Sequence, residues 1–158
     1  MTSVVAEALR SSLNLEHSPV GVALLNHLPS GIPRWKATVP AGCRFWQEAR
    51  TRVFATESRH HSLCAIGVYT HNLETTPATQ TDLSDALKVF ADLEYVRPED
   101  LAAIPMLATK PRYVVYGPLG DIPVPADVVL LFVRANQTLI LSEALVCGAC
   151  AYLDIPAG

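Results

Sequence analysis

Near the N-terminus Val4, Val5, Ala8, Leu9 and Ser12 recur on one helical face, which predicts an amphipathic helix over residues 3–13. Pro19 then opens a continuous apolar run, Val20-Gly21-Val22-Ala23-Leu24-Leu25, bounded by Pro29 and Gly31, and this reads as a buried strand. Pro33 and Pro40 punctuate the connection that follows. From Gly42 the sequence Cys43-Arg44-Phe45-Trp46-Gln47-Glu48-Ala49 lacks strand alternation and carries good helix formers, placing Cys43 near a helix N-terminus. A short strand is expected over 52–55. Ser62 then reads as the N-cap of a helix beginning Leu63-Cys64-Ala65-Ile66, with Cys64 in its first turn.

Leu83, Ala86, Leu87, Phe90 and Ala91 give the strongest helical spacing in the chain, with Asp85, Lys88 and Asp92 on the exposed side. Arg97-Pro98-Glu99-Asp100 has proline and acids where a helix starts, predicting a helix to about residue 106. Residues 113–116 form a strand closed by Gly117-Pro118. The run 127–133 is apolar on both faces, as a central or parallel strand would be, and 136–146 returns to helical character. The two Pro-led apolar strands hint at an internal pseudo-repeat. Together these elements predict an α/β or α+β fold, a small mixed sheet of short strands covered by helices.

At 158 residues, half of them apolar, a single compact domain spanning 1–158 can bury a core without disulfide staples. The net charge of −3 comes from twelve basic and fifteen acidic residues spread along the chain, with no basic stripe for phosphates, so nucleic acid is not an expected partner. The start has no charged region followed by a long apolar core, and the longest apolar run is far too short to cross a bilayer. The expectation is a soluble, cytoplasmic protein with no membrane partner. Four cysteines in a reducing compartment favour metal binding or redox chemistry over structural disulfides.

The sulfur chemistry centres on Cys147-Gly148-Ala149-Cys150, whose spacing lets both thiols point at one centre, and on Cys43 and Cys64 at helix starts, where backbone N–H groups favour an anion. These four form the candidate cofactor and metal site, with His61 as a further metal ligand. No zinc-finger or ribbon spacing is present. An iron–sulfur cluster tolerates scattered ligands, and zinc is the alternative. His60, His61 and His71 are candidates for one imidazole ligand or a proton carrier, weighed against surface or capping roles. Phe45 and Trp46 read as core residues before they read as a stacking platform, and the acids form no paired-carboxylate signature.

The segments Ser18-Pro19-Val20-Gly21-Val22-Ala23, Gly42-Cys43-Arg44-Phe45-Trp46-Gln47-Glu48-Ala49, His61-Ser62-Leu63-Cys64-Ala65-Ile66-Gly67 and Val114-Val115-Tyr116-Gly117-Pro118-Leu119 followed by Ala126-Asp127-Val128-Val129-Leu130 together resemble the family called domain of unknown function 169. The resemblance covers nearly the whole chain and implies that Cys43 and Cys64 occupy motif positions. Similar proteins continue further, so a chain ending at Gly158 is expected to be a short or truncated member. The leading expectation is a cluster- or metal-binding protein serving electron transfer or metallocofactor handling, with a redox or assembly partner and a homo-oligomeric state. The alternatives are thiol–disulfide exchange at Cys147 and Cys150, and a non-catalytic ligand-binding or assembly module whose cysteines are structural.

Overall fold

A computed structural model describes residues 2–39, 41–61, 63–95, 97–101, 103, 107, 108 and 110–146. The chain runs α1 (Thr2–Ser12), β1 (Val20–Leu25), α2 (Cys43–Glu48), β2 (Phe54–Thr56), a 3₁₀ turn (Ser58–His61), α3 (Ala65–Thr70), α4 (Pro77–Asp92), α5 (Pro98–Leu101), β3 (Tyr113–Pro118), β4 (Val128–Leu130) and α6 (Ala135–Val146). The four strands are ordered β2-β3-β1-β4, so the expected helix-and-sheet class is borne out. Among the described residues no helix is long and apolar enough to cross a membrane.

The apolar run at 20–25 is a strand, as expected, and β3 is buried along its whole length. The run at 127–133 is different. Only Val128–Leu130 is strand, it lies at the edge of the sheet, and it pairs antiparallel with β1 through Val20↔Leu130, Gly21↔Val129 and Val22↔Val128. Val128 and Val129 are exposed. The chain leaves the sheet after Leu130, and Leu131 and Val133 pack instead against a core of Leu9, Leu13, Leu15, Leu119 and Ala144. An uninterrupted apolar run gives no face to choose, so it reads the same whether a strand continues or peels away to another layer.

Three helices stop in the same way. Asn14, Asn72 and Glu94 have positive φ (49°, 48° and 58°) and follow α1, α3 and α4. At each, the next amide reaches back five residues: Leu15 N–H to Arg10 O, Leu73 N–H to Val68 O, and Tyr95 N–H to Phe90 O. With the i−3 bonds of Asn14, Asn72 and Glu94 these are Schellman endings, which satisfy carbonyls a helix would otherwise leave open. Asparagine tolerates the left-handed conformation; glutamate occupies it at a cost.

The chain divides into two compact units, 1–23 with 46–53 and 116–158, and 24–45 with 54–115. In the first, the core just described is tied by Gln137, nearly buried, on the first turn of α6. Its Oε1 accepts the Arg134 amide at 2.6 Å, as the third residue of a capping box does, while Nε2 donates to Leu13 O and Asn14 O at 2.9 Å each. In the second, Trp35 packs on Phe54 (ring centroids 4.8 Å) and on Phe45 (5.4 Å), and Phe45 is fully buried. Residues 33–35 run beside β2: Trp35 N–H bonds Ala55 O and Ala55 N–H bonds Pro33 O, both at 2.8 Å. Of the adjacent aromatics, Phe45 is therefore core, as expected, while Trp46 is 36 % exposed.

Candidate functional site

The second unit concentrates histidine and cysteine around α3. The 3₁₀ turn follows directly from β2, so His60 and His61 are fixed to the sheet end by local chain geometry. Both are buried, His61 completely, which overturns their reading as surface residues. Adjacent histidines look polar in sequence. Here the ring of His61 instead completes the aromatic core, 4.7 Å from Phe45 between centroids.

The protonation of His61 follows from its partner. Thr56 Oγ1 donates its one proton to Val114 O at 3.2 Å and lies 2.9 Å from His61 Nε2. Both contacts are satisfied together by the tautomer in which the hydroxyl accepts from Nε2–H, and that tautomer places the ring lone pair on Nδ1. Burial pushes the His61 pKa down to about 3, with His71 and then His60 adding to the shift, so the ring is neutral throughout the physiological range. His60 accepts the Glu57 amide at Nδ1 (2.9 Å), and its pKa is lowered by burial and by Arg59.

His71 is the C-cap of α3, held there by the Asn72 ending and by Asn72 Nδ2 donating to Leu107 O. Its Nδ1 lies 2.8 Å from Gly67 O, and a carbonyl can only accept, so Nδ1 is the protonated nitrogen and Nε2 holds the lone pair. Burial lowers its pKa, opposed by that hydrogen bond. The His71 and His61 rings stand 5.8 Å apart.

Cys64 is the N-cap of α3 and not a first-turn residue. Its φ of −123° and ψ of 75° are non-helical, its side chain makes no capping bond, and Val68 N–H bonds its carbonyl at 3.0 Å. A short turn closed by Cys64 N–H to His61 O (2.7 Å) precedes the helix, which starts two residues later than the sequence expectation. Two glycines surround the thiol. A Cβ on Gly67 would stand 2.9 Å from Cys64 Sγ, and a Cβ on Gly42 would stand 3.7 Å from that sulfur and 3.4 Å from His61 Nδ1. The lone-pair nitrogen of His61 and the sulfur of Cys64 thus face the same glycine.

Cys43 and Cys64 are free thiols, Cys43 exposed at the start of α2 and Cys64 partly buried. Neither is packed as a fully buried small hydrophobe. Cys147 and Cys150 lie outside the described residues, as does Ser62. Among the described residues no three His, Cys, Asp or Glu side chains form a group able to hold a metal. Among the described residues, the structure brings His61 and Cys64 to one glycine. Thr56, Gly42 and Gly67 were not singled out by sequence; glycines one residue before Cys43 and three after Cys64 are the signal that could have found two of them.

A family model described as an uncharacterised ArCR family, domain of unknown function 169, matches residues 8–150. No curated protein and no solved structure matches the chain.

Proposed function

The chain belongs to the domain of unknown function 169 family, and from that premise we propose that it binds a thiophilic metal, iron in a cluster or zinc, with Cys64 and His61 as part of the ligand set. The observation that carries this reading is the state of His61: neutral, with its lone pair on the nitrogen that faces Gly42 and the Cys64 sulfur. A metal takes imidazole only in that form. The second supporting feature is Thr56, which holds the other ring nitrogen through its N–H and passes the bond on to a backbone carbonyl, the arrangement that orients metal-binding histidines.

Two donors make a partial site. Cys43, Cys147 and Cys150 remain the candidates for the rest, and electron transfer or metallocofactor handling in the cytoplasm remains the proposed role. A thiol nucleophile served by His61 as base is the weaker reading, because a ring with a pKa of about 3 is a poor proton acceptor from a thiol near neutral pH.

Anaerobic reconstitution with iron and sulfide, and separately with zinc, tests the proposal by metal content and absorbance. Bound metal that falls in Cys64→Ser and in His61→Gln is expected. A chain that stays metal-free under both conditions sinks it, as does metal content unchanged in both variants. Single Cys→Ser replacements at 43, 147 and 150 then assign the remaining ligands.

A further inference from the structure

The first unit holds a cleft of about 440 Å³ that the metal reading does not use. That volume suits a small organic ligand. Its wall is Phe132, with the Arg50 guanidinium 5.3 Å over the ring centroid and the His17 ring edge-on at 6.2 Å and 88°. A guanidinium lying over an aromatic ring is partly desolvated and still has N–H donors for a planar anion. Arg50 commits Nε to Gln47 O at 3.2 Å, which leaves both Nη groups as its other donors.

The second cation is Arg134, which meets Glu16 at 3.1 Å on the exposed rim. An exposed pair of this kind contributes little stability, so a ligand anion can compete for the guanidinium at small cost. The backbone of Arg134 is pinned by Gln137, itself anchored to the carbonyls of Leu13 and Asn14. The wall is thus set before a ligand arrives, which lowers the ordering cost of binding. The N-terminus of α6 begins at Ala135, directly after this wall, and adds positive potential on the same side.

We propose that this cleft binds a small ligand bearing a carboxylate or a phosphate, its anionic group held by Arg50 and Arg134 and its apolar body laid against Phe132. The two anions share one chemistry, and the choice of probe separates them. Isothermal titration of the full chain with benzoate and with phenyl phosphate, and with benzylammonium as the counter-probe, supplies the test. Saturable binding of at least one anion is expected, with no binding of the cation and at least 10-fold weaker affinity in Arg50→Gln. The tighter of the two anions names the ligand class. Failure of both anions to bind overturns the proposal, and so does an Arg50→Gln variant that binds as the parent does. If Arg50→Gln melts differently from the parent, Arg134→Gln at the exposed rim gives the second reading: affinity several-fold weaker supports the site, and unchanged affinity overturns it.

Discussion

Gly42→Ala separates the proposed metal site from the fold that carries it. A methyl at this position would sit 3.4 Å from His61 Nδ1 and 3.7 Å from Cys64 Sγ, distances of ordinary contact, and Gly42 is not in the left-handed region. The metal-free chain should therefore accept it, and loss of freedom in the unfolded state should stabilise the fold by about 0.4–1 kcal/mol. A zinc ion has to approach the nitrogen to about 2.0–2.1 Å and the sulfur to about 2.3 Å. The methyl takes up space that both donor atoms face. Disturbing the setting of a metal ligand costs roughly 10–100-fold in affinity, or about 1.4–2.8 kcal/mol at 1.4 kcal/mol per decade. Competition against a chromophoric chelator measures the affinity, and urea denaturation of the metal-free protein measures the fold. Parent-like metal affinity in Gly42→Ala would refute the assignment of Cys64 and His61 as ligands. A weakened affinity accompanied by a destabilised metal-free chain would refute the argument that the methyl acts on the donors.

Three further outcomes are expected. Gln137→Leu keeps the volume but removes three hydrogen bonds at about 1 kcal/mol each, so stability should fall by about 2–4 kcal/mol and the melting temperature by about 5–15 °C; a fall under about 1 kcal/mol would show that Gln137 ties nothing. His61 has a folded pKa of about 3 against an ordinary value of 6.5, so between those limits the unfolded chain binds the extra proton and stability drops as pH falls, by about 1.4 kcal/mol per unit. Urea midpoints from pH 7 to pH 4 should show that slope and should show less of it in His61→Gln, while equal slopes would count against the buried neutral ring. Glu94→Gly relieves a left-handed glutamate in an exposed helix ending and should raise stability by about 0.5–1 kcal/mol, checked by thermal melting.

The sequence was most legible where one face of an element is chosen for burial. Leu83, Ala86, Leu87, Phe90 and Ala91 mark α4 because their spacing leaves Asp85, Lys88 and Asp92 outside, and those three are exposed. The buried run at 20–25 was equally clear because prolines and a glycine fence it. The run at 127–133 misled for lack of any polar position to mark where the strand stops. At the site, the helix start beside Cys64 was legible, two residues out, but the burial of His61 was not. That burial depends on Phe45, sixteen positions earlier in the chain, and on a threonine hydroxyl from β2, contacts that no local pattern announces. His71 reaches the His61 ring through the Schellman ending after α3, a geometry coded by a single asparagine at 72.

The split of the chain into a nearly continuous unit and one made of three separated pieces has a consequence for synthesis on the ribosome. All residues of the second unit, from Leu24 to Val115, have been added before Tyr116. Its histidine cluster and the turn that presents Cys64 can begin to form while the chain is still growing. The first unit waits. Leu13 and Asn14 are made early, but their hydrogen-bond partner Gln137 is more than 120 positions downstream. Until that glutamine emerges, the apolar side of α1 lacks its α6 contribution and is the segment a holding chaperone would be expected to cover.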